Sequence, residues 1–168
     1  MKRFTALLVL GASLVVVGSA AAASAAQVTT TTVKWFSGLP DGCRDGTATV
    51  PAGDARVTFG WGTYSNYYTT QFMKIQYVTY TINGGAPVQT AVGDTTGWRL
   101  STSKDQSGQK VYVAQYTSPV LATLASGQAV TVTFSLKTNE TAYDNDTTPY
   151  PAGTELLGTE RSCTITAA

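Results

Sequence analysis

The sequence predicts an all-β protein: a two-sheet antiparallel sandwich of about seven to nine strands, closed by one disulfide. Three observations carry that expectation. Apolar and polar residues alternate in several short runs. Glycine, proline, asparagine and aspartate punctuate the gaps between those runs. Two cysteines, Cys43 and Cys163, lie near the two ends of the chain beyond its leader.

The chain opens with Lys2 and Arg3, an apolar run from Leu7 to Val17, and a small-residue tail from Ala20 to Ala26. These are the three parts of a secretory signal peptide over residues 1–26, cut before Ala26 or Gln27. Residues 27–168 are expected to fold as a single β-sandwich domain. Val28 to Phe36 and Thr47 to Val50 read as its first strands. Ala55, Val57, Phe59 and Trp61 then alternate with Arg56, Thr58, Gly60 and Gly62, the period-2 pattern of a half-buried strand. Ile75 to Ile82 is β-branched and tyrosine-rich, as in a central strand. Asn83-Gly84 follows it, a strong hairpin signal because both residues tolerate positive φ. Val88 to Val92, Trp98 to Thr102 and Val111 to Thr117 are further candidates. Val130, Val132, Phe134 and Leu136 alternate with threonine, serine and lysine in the cleanest strand of the chain. In the last strand Cys163 and Ile165 share a core-facing parity. Beyond the leader no window shows a helical period capped at both ends, so no helix is expected.

Composition narrows the chemistry. The chain has no histidine, which removes Ser-His-Asp triads, Cys-His pairs and His-ligated catalytic zinc. Its formal charge is +1, and removal of Lys2 and Arg3 with the leader leaves a slightly acidic domain. Neither balance supplies the basic footprint that nucleic acid requires. No second apolar run is long enough to span a bilayer, so no membrane association is expected after cleavage. An even pair of cysteines in an exported protein reads as one disulfide between Cys43 and Cys163. No cofactor is implied, and an enzyme is not expected.

The order of features resembles immunoglobulin-like and fibronectin type III β-sandwich domains of secreted proteins. Ala55-Arg56-Val57-Thr58-Phe59-Gly60-Trp61 is similar to a B strand ending in tryptophan. Ile75 to Gly84 is similar to a C strand with its turn. Leu121 to Gly127, leading into Val130 to Phe134, is similar to the approach to an F strand. The resemblance implies the sandwich and no particular ligand, since such folds host many functions.

The functional expectation rests on aromatics. Tyr64, Tyr67 and Tyr68 stand among Ser65, Asn66, Thr69, Thr70 and Gln71. Tyrosine among small polar residues in a loop makes a low-entropy contact surface, and planar rings stack on sugars. These three, with Trp98, are the candidate ligand-binding residues of a secreted, non-catalytic binding protein. Its partner would be an extracellular glycan, a cell-envelope component or a protein. The alternatives are an inhibitor of a secreted hydrolase that presents this loop, or a structural surface protein self-associating through Val28 to Val33. Glu140, Asp144 and Asp146 form a candidate oxygen-ligand set for Ca²⁺, without the EF-hand spacing. A solvated turn is the plainer reading of that segment.

Overall fold

A computed structural model describes residues 28–35, 42–43, 45–144, 148–158 and 161–168. The signal peptide assigned to residues 1–26, Phe36 and Asp146 lie outside the described residues. The protein is mostly β, with two large sheets, a small two-stranded one and one disulfide.

The first sheet contains β1 (Thr30–Trp35), β2 (Gly42–Cys43), β4 (Gly53–Thr63), β7 (Trp98–Lys104), β8 (Lys110–Thr117) and β9 (Ala122–Leu124). Its order is β2-β1-β4-β8-β7, with β9 paired to β4. The second sheet is built from β3 (Thr47–Val50), β5 (Gln76–Ile82), β6 (Val88–Gln89), β10 (Ala129–Thr138) and β13 (Ser162–Ala167). Its order is β3-β13-β10-β5-β6. The short β11 (Ala142–Tyr143) and β12 (Pro149–Tyr150) pair with each other.

The expected alternation sets the core. On β10, Val130, Val132, Phe134 and Leu136 are buried, and Thr133 on the opposite parity is exposed. Cys163 and Ile165 on β13, Val57 and Phe59 on β4, and Ala114 and Tyr116 on β8 join them in one apolar cluster. Phe134 is fully buried and touches three rings. Trp35 and Phe59 of the first sheet lie edge-on at 5.6 and 5.4 Å, and Tyr80 of its own sheet stacks at 5.4 Å. The Cys43–Cys163 disulfide joins β2 of one sheet to β13 of the other across 120 positions. A closed loop of that length constrains the unfolded chain by about 4–5 kcal/mol on a chain-entropy model.

The structure corrects three expectations. The sheets are mixed, not wholly antiparallel. β1 runs parallel to β4 and to β2, and β3 runs parallel to β13. The cause is a crossover: the chain leaves the first sheet to lay β3 on the second, then returns with β4 beside β1 in the same direction. A helix, α1 (Asn66–Ile75), occupies the segment read as a loop, so the β strand after it begins at Gln76 instead of Ile75. The Asn83-Gly84 turn forms, with φ of +50° and +69° and Gly85 N–H donating to Ile82 O at 2.9 Å. Its returning strand, however, pairs only through Val88 and Gln89. Asn83 is instead held to β10 through both N–H and O groups of Thr131, and Pro87 has no N–H to offer a ladder.

The packing predicts a sharp contrast between neighbours. Phe134→Ala is expected to cost about 3–5 kcal/mol in urea unfolding, the range for emptying a buried aromatic site. Thr133→Ala, on the outer parity, is expected to stay within about 0.5 kcal/mol. Equal costs would contradict the assignment of faces on β10.

Candidate functional site: a surface tyrosine cluster

The candidate surface is carried by α1. The helix buries Thr69, Phe72 and Met73, an i, i+3, i+4 stripe. Its first turn is organised by the preceding strand. Ser65 at the N-cap makes no side-chain cap bond. The Thr63 hydroxyl accepts Ser65 N–H at 3.1 Å, lies 2.8 Å from the Thr69 hydroxyl and donates to Ser65 O at 2.6 Å. Phe72 then locks the helix down. It stacks on Trp61 at 5.6 Å and meets Trp98 edge-on at 5.6 Å. Lys74 lies in the last turn, where a cation suits the helix dipole. The polar Thr69 in the stripe and the missing cap are what conceal this helix in the sequence. The spacing of Thr69, Phe72, Met73 and Gln76 was the available signal.

Opposite the stripe, Tyr67 is 64% exposed. Its ring meets that of half-buried Tyr68 at 5.4 Å and 73°. Tyr68 in turn lies 5.5 Å from Tyr143 of β11, itself 38% exposed. A cleft of about 320 Å³ opens beside these rings, walled also by Gln71, Ile75 and Glu140. Tyr143 is the member that sequence reasoning missed. It sits in a two-residue strand some seventy positions from the helix, and nothing local marks it.

The other expected residues do not join this cluster. The Tyr64 hydroxyl donates to Asp105 Oδ2 at 2.9 Å in the β7–β8 turn. That bond, followed by the charge of Asp105, raises the phenol above its ordinary pKa. The Ser107 hydroxyl, donating to Asp105 Oδ1 at 2.7 Å, is the main cause that lowers the carboxyl. Trp98 is half-buried, with its ring against Phe59, Phe72 and Tyr116. It supports the helix from below. Of the Ca²⁺ candidates, Glu140 lines the tyrosine cleft and Asp144 accepts the Tyr150 hydroxyl at 3.2 Å. Among the described residues no three such ligands come together.

Between the sheets, Tyr116 is almost wholly buried. Burial foremost, then Tyr80 and Asp94, pushes its phenol up to about 12. No protein-family model matches the sequence, and no curated protein matches it.

The Tyr116 environment has a readable consequence. The folded protein favours the neutral phenol, so this contribution to stability is complete below pH 10. It is lost as pH climbs from 10 to about 12. Ultraviolet titration of phenolate formation is expected to show one late step near the upper value, and Tyr116→Phe is expected to abolish it. A late step that survives the substitution would assign it elsewhere.

Proposed function

We propose that this chain is a secreted, non-catalytic binding protein that takes an extracellular glycan on the Tyr67–Tyr68–Tyr143 surface. In this reading a signal peptide over 1–26 precedes one immunoglobulin-like β-sandwich domain over 27–168. The Cys43–Cys163 disulfide suits an oxidising compartment. Among the described residues no helix is long and apolar enough to cross a membrane.

One observation carries the reading: three tyrosine rings in a row at the surface, Tyr68 touching both Tyr67 and Tyr143, beside a cleft of about 320 Å³. Exposed tyrosines offer flat apolar faces with hydroxyl edges and lose little rotamer entropy on contact. The cleft has small-ligand dimensions, and Gln71 and Glu140 provide hydrogen-bonding groups at its wall. Sugar rings match that combination better than a broad protein interface does. The inhibitor alternative loses its extended presenting loop, because Asn66 to Gln71 is helical. The self-association alternative keeps one edge of Thr30 to Val33, since β4 takes the other and β2 pairs only with Lys34 and Trp35.

Pull-down on insoluble cellulose, chitin and peptidoglycan tests the reading. The double substitution Tyr67→Ala plus Tyr68→Ala is expected to weaken retention by at least about 2 kcal/mol, roughly thirtyfold. Its effect on folding stability is expected to be far below that of Phe134→Ala. A folded double mutant that is retained as well as the parent contradicts the proposal.

A further inference from the structure

A second cleft lies between the two large sheets, away from α1. It measures about 350 Å³. Tyr80 and Val88 wall it from the second sheet, and Arg56 and Tyr116 from the first, with Asp94 and Gly97 of the β6–β7 loop also lining it. A neighbouring cleft of about 540 Å³ shares Arg56 and Gly97 and adds Arg99 and Gln115. Arg56 is the hinge between the two.

Arg56 is unusual in three respects. It is half-buried on β4, which is hydrogen-bonded on both sides, so its backbone position is fixed. Its Nε–H is buried and meets no acceptor. Among the described residues the ion pair formed is Arg161 with Glu155, and neither Arg56 nor Arg99 has one. A buried donor on a charged group is costly to leave unmet. The geometry that meets it is side-on, with Nε–H and one Nη–H donating to the two oxygens of a carboxylate.

Asp94 restricts what can bring that carboxylate. Its Oδ1 accepts Thr96 N–H at 2.8 Å, and its own backbone carbonyl accepts Gln76 Nε2–H at 2.8 Å, so it is held in place. Asp94 repels a ligand with a second negative charge, which disfavours phosphates and polyacidic peptides. It accepts hydrogen bonds from hydroxyls. A ligand with one carboxylate and several hydroxyls therefore fits both charged groups, and the half-buried Tyr80 offers ring surface beside them. A volume of about 350 Å³ is at the low end for ligand pockets, which run from roughly 300 to 1,000 Å³, so it suits a single sugar ring.

We infer that the cleft between the sheets is a binding site for a sugar acid of the uronate type, with its carboxylate side-on to Arg56 and its hydroxyls donating to Asp94. The site is separate from the Tyr67–Tyr68–Tyr143 surface and stands or falls independently of it. A chain of such units would extend toward Arg99 and Gln115 in the adjoining cleft.

NMR detection of the arginine Nε–H groups in the folded, disulfide-bonded protein tests the site. Methyl glucuronide is expected to shift the Arg56 Nε–H and Tyr80 ring signals saturably. Methyl glucoside and N-acetylglutamate at the same concentration are expected to leave them in place. Arg56→Lys keeps the charge but loses the side-on fork, and should weaken binding about tenfold or more. Asp94→Asn, in a surface loop, serves if Arg56→Lys fails to fold, and should weaken the glucuronide as well. No saturable shift with the glucuronide overturns the proposal. An equal response to the glucoside removes the role of the carboxylate, and an equal response to N-acetylglutamate removes the role of the sugar; either result also overturns it.

Discussion

The structure depends on one buried ring. Phe134 stands at the middle of β10 and reaches across the gap between the sheets to Trp35 and Phe59. Each well-oriented aromatic pair adds about 0.5–1.5 kcal/mol beyond the burial of its surface. Phe134 has three such partners and no exposure. The disulfide acts on the same relation between the sheets by a different route, limiting how far β2 and β13 can separate in the unfolded chain. Ring contacts join the two sheets through Phe134, and the covalent link ties β2 of one to β13 of the other.

From Phe134 the contacts pass outward through rings. Phe59 touches Trp98, Trp98 touches Phe72, Phe72 stacks on Trp61, and Trp61 meets Tyr150. This line ends under α1 and the small β11–β12 pair, the two elements that carry Tyr67, Tyr68 and Tyr143. A ten-residue helix is marginal alone in water. Here it is held because Phe72 is seated between two tryptophans. Contact residues mounted on a seated helix are positioned more accurately than residues on a free loop.

Much of the fold was legible because period-2 alternation is a local property. Val130 to Leu136 and Ala55 to Phe59 show their buried faces directly, and the cysteine pairing follows from an even count. Strand direction was not legible. Whether β1 runs with or against β4 depends on β3 crossing to the other sheet, and no residue in Thr30–Trp35 records that. The helix was hidden by Thr69, a polar residue buried through hydrogen bonds to Ser65 O and the Thr63 hydroxyl. The candidate surface was legible in part. Tyr67 and Tyr68 were visible as tyrosines in a polar setting, but Tyr143 reaches them only through tertiary structure. Trp98, an aromatic in a short strand, could have faced either way. Its neighbours Phe59 and Phe72 turn it inward. The inter-sheet cleft had no local signature, since Arg56 lines it from β4 and Asp94 from the loop between β6 and β7.

The central claim is that a fixed aromatic interior presents a binding surface on α1 and β11. Hydrogen–deuterium exchange, with and without a soluble oligosaccharide of whichever polymer retains the protein, tests it most directly. The account predicts added protection confined to Asn66–Ile75 and Ala142–Tyr143, with β10 and β4 already slow and unchanged. Protection elsewhere, with α1 and β11 exchanging as before, would contradict it.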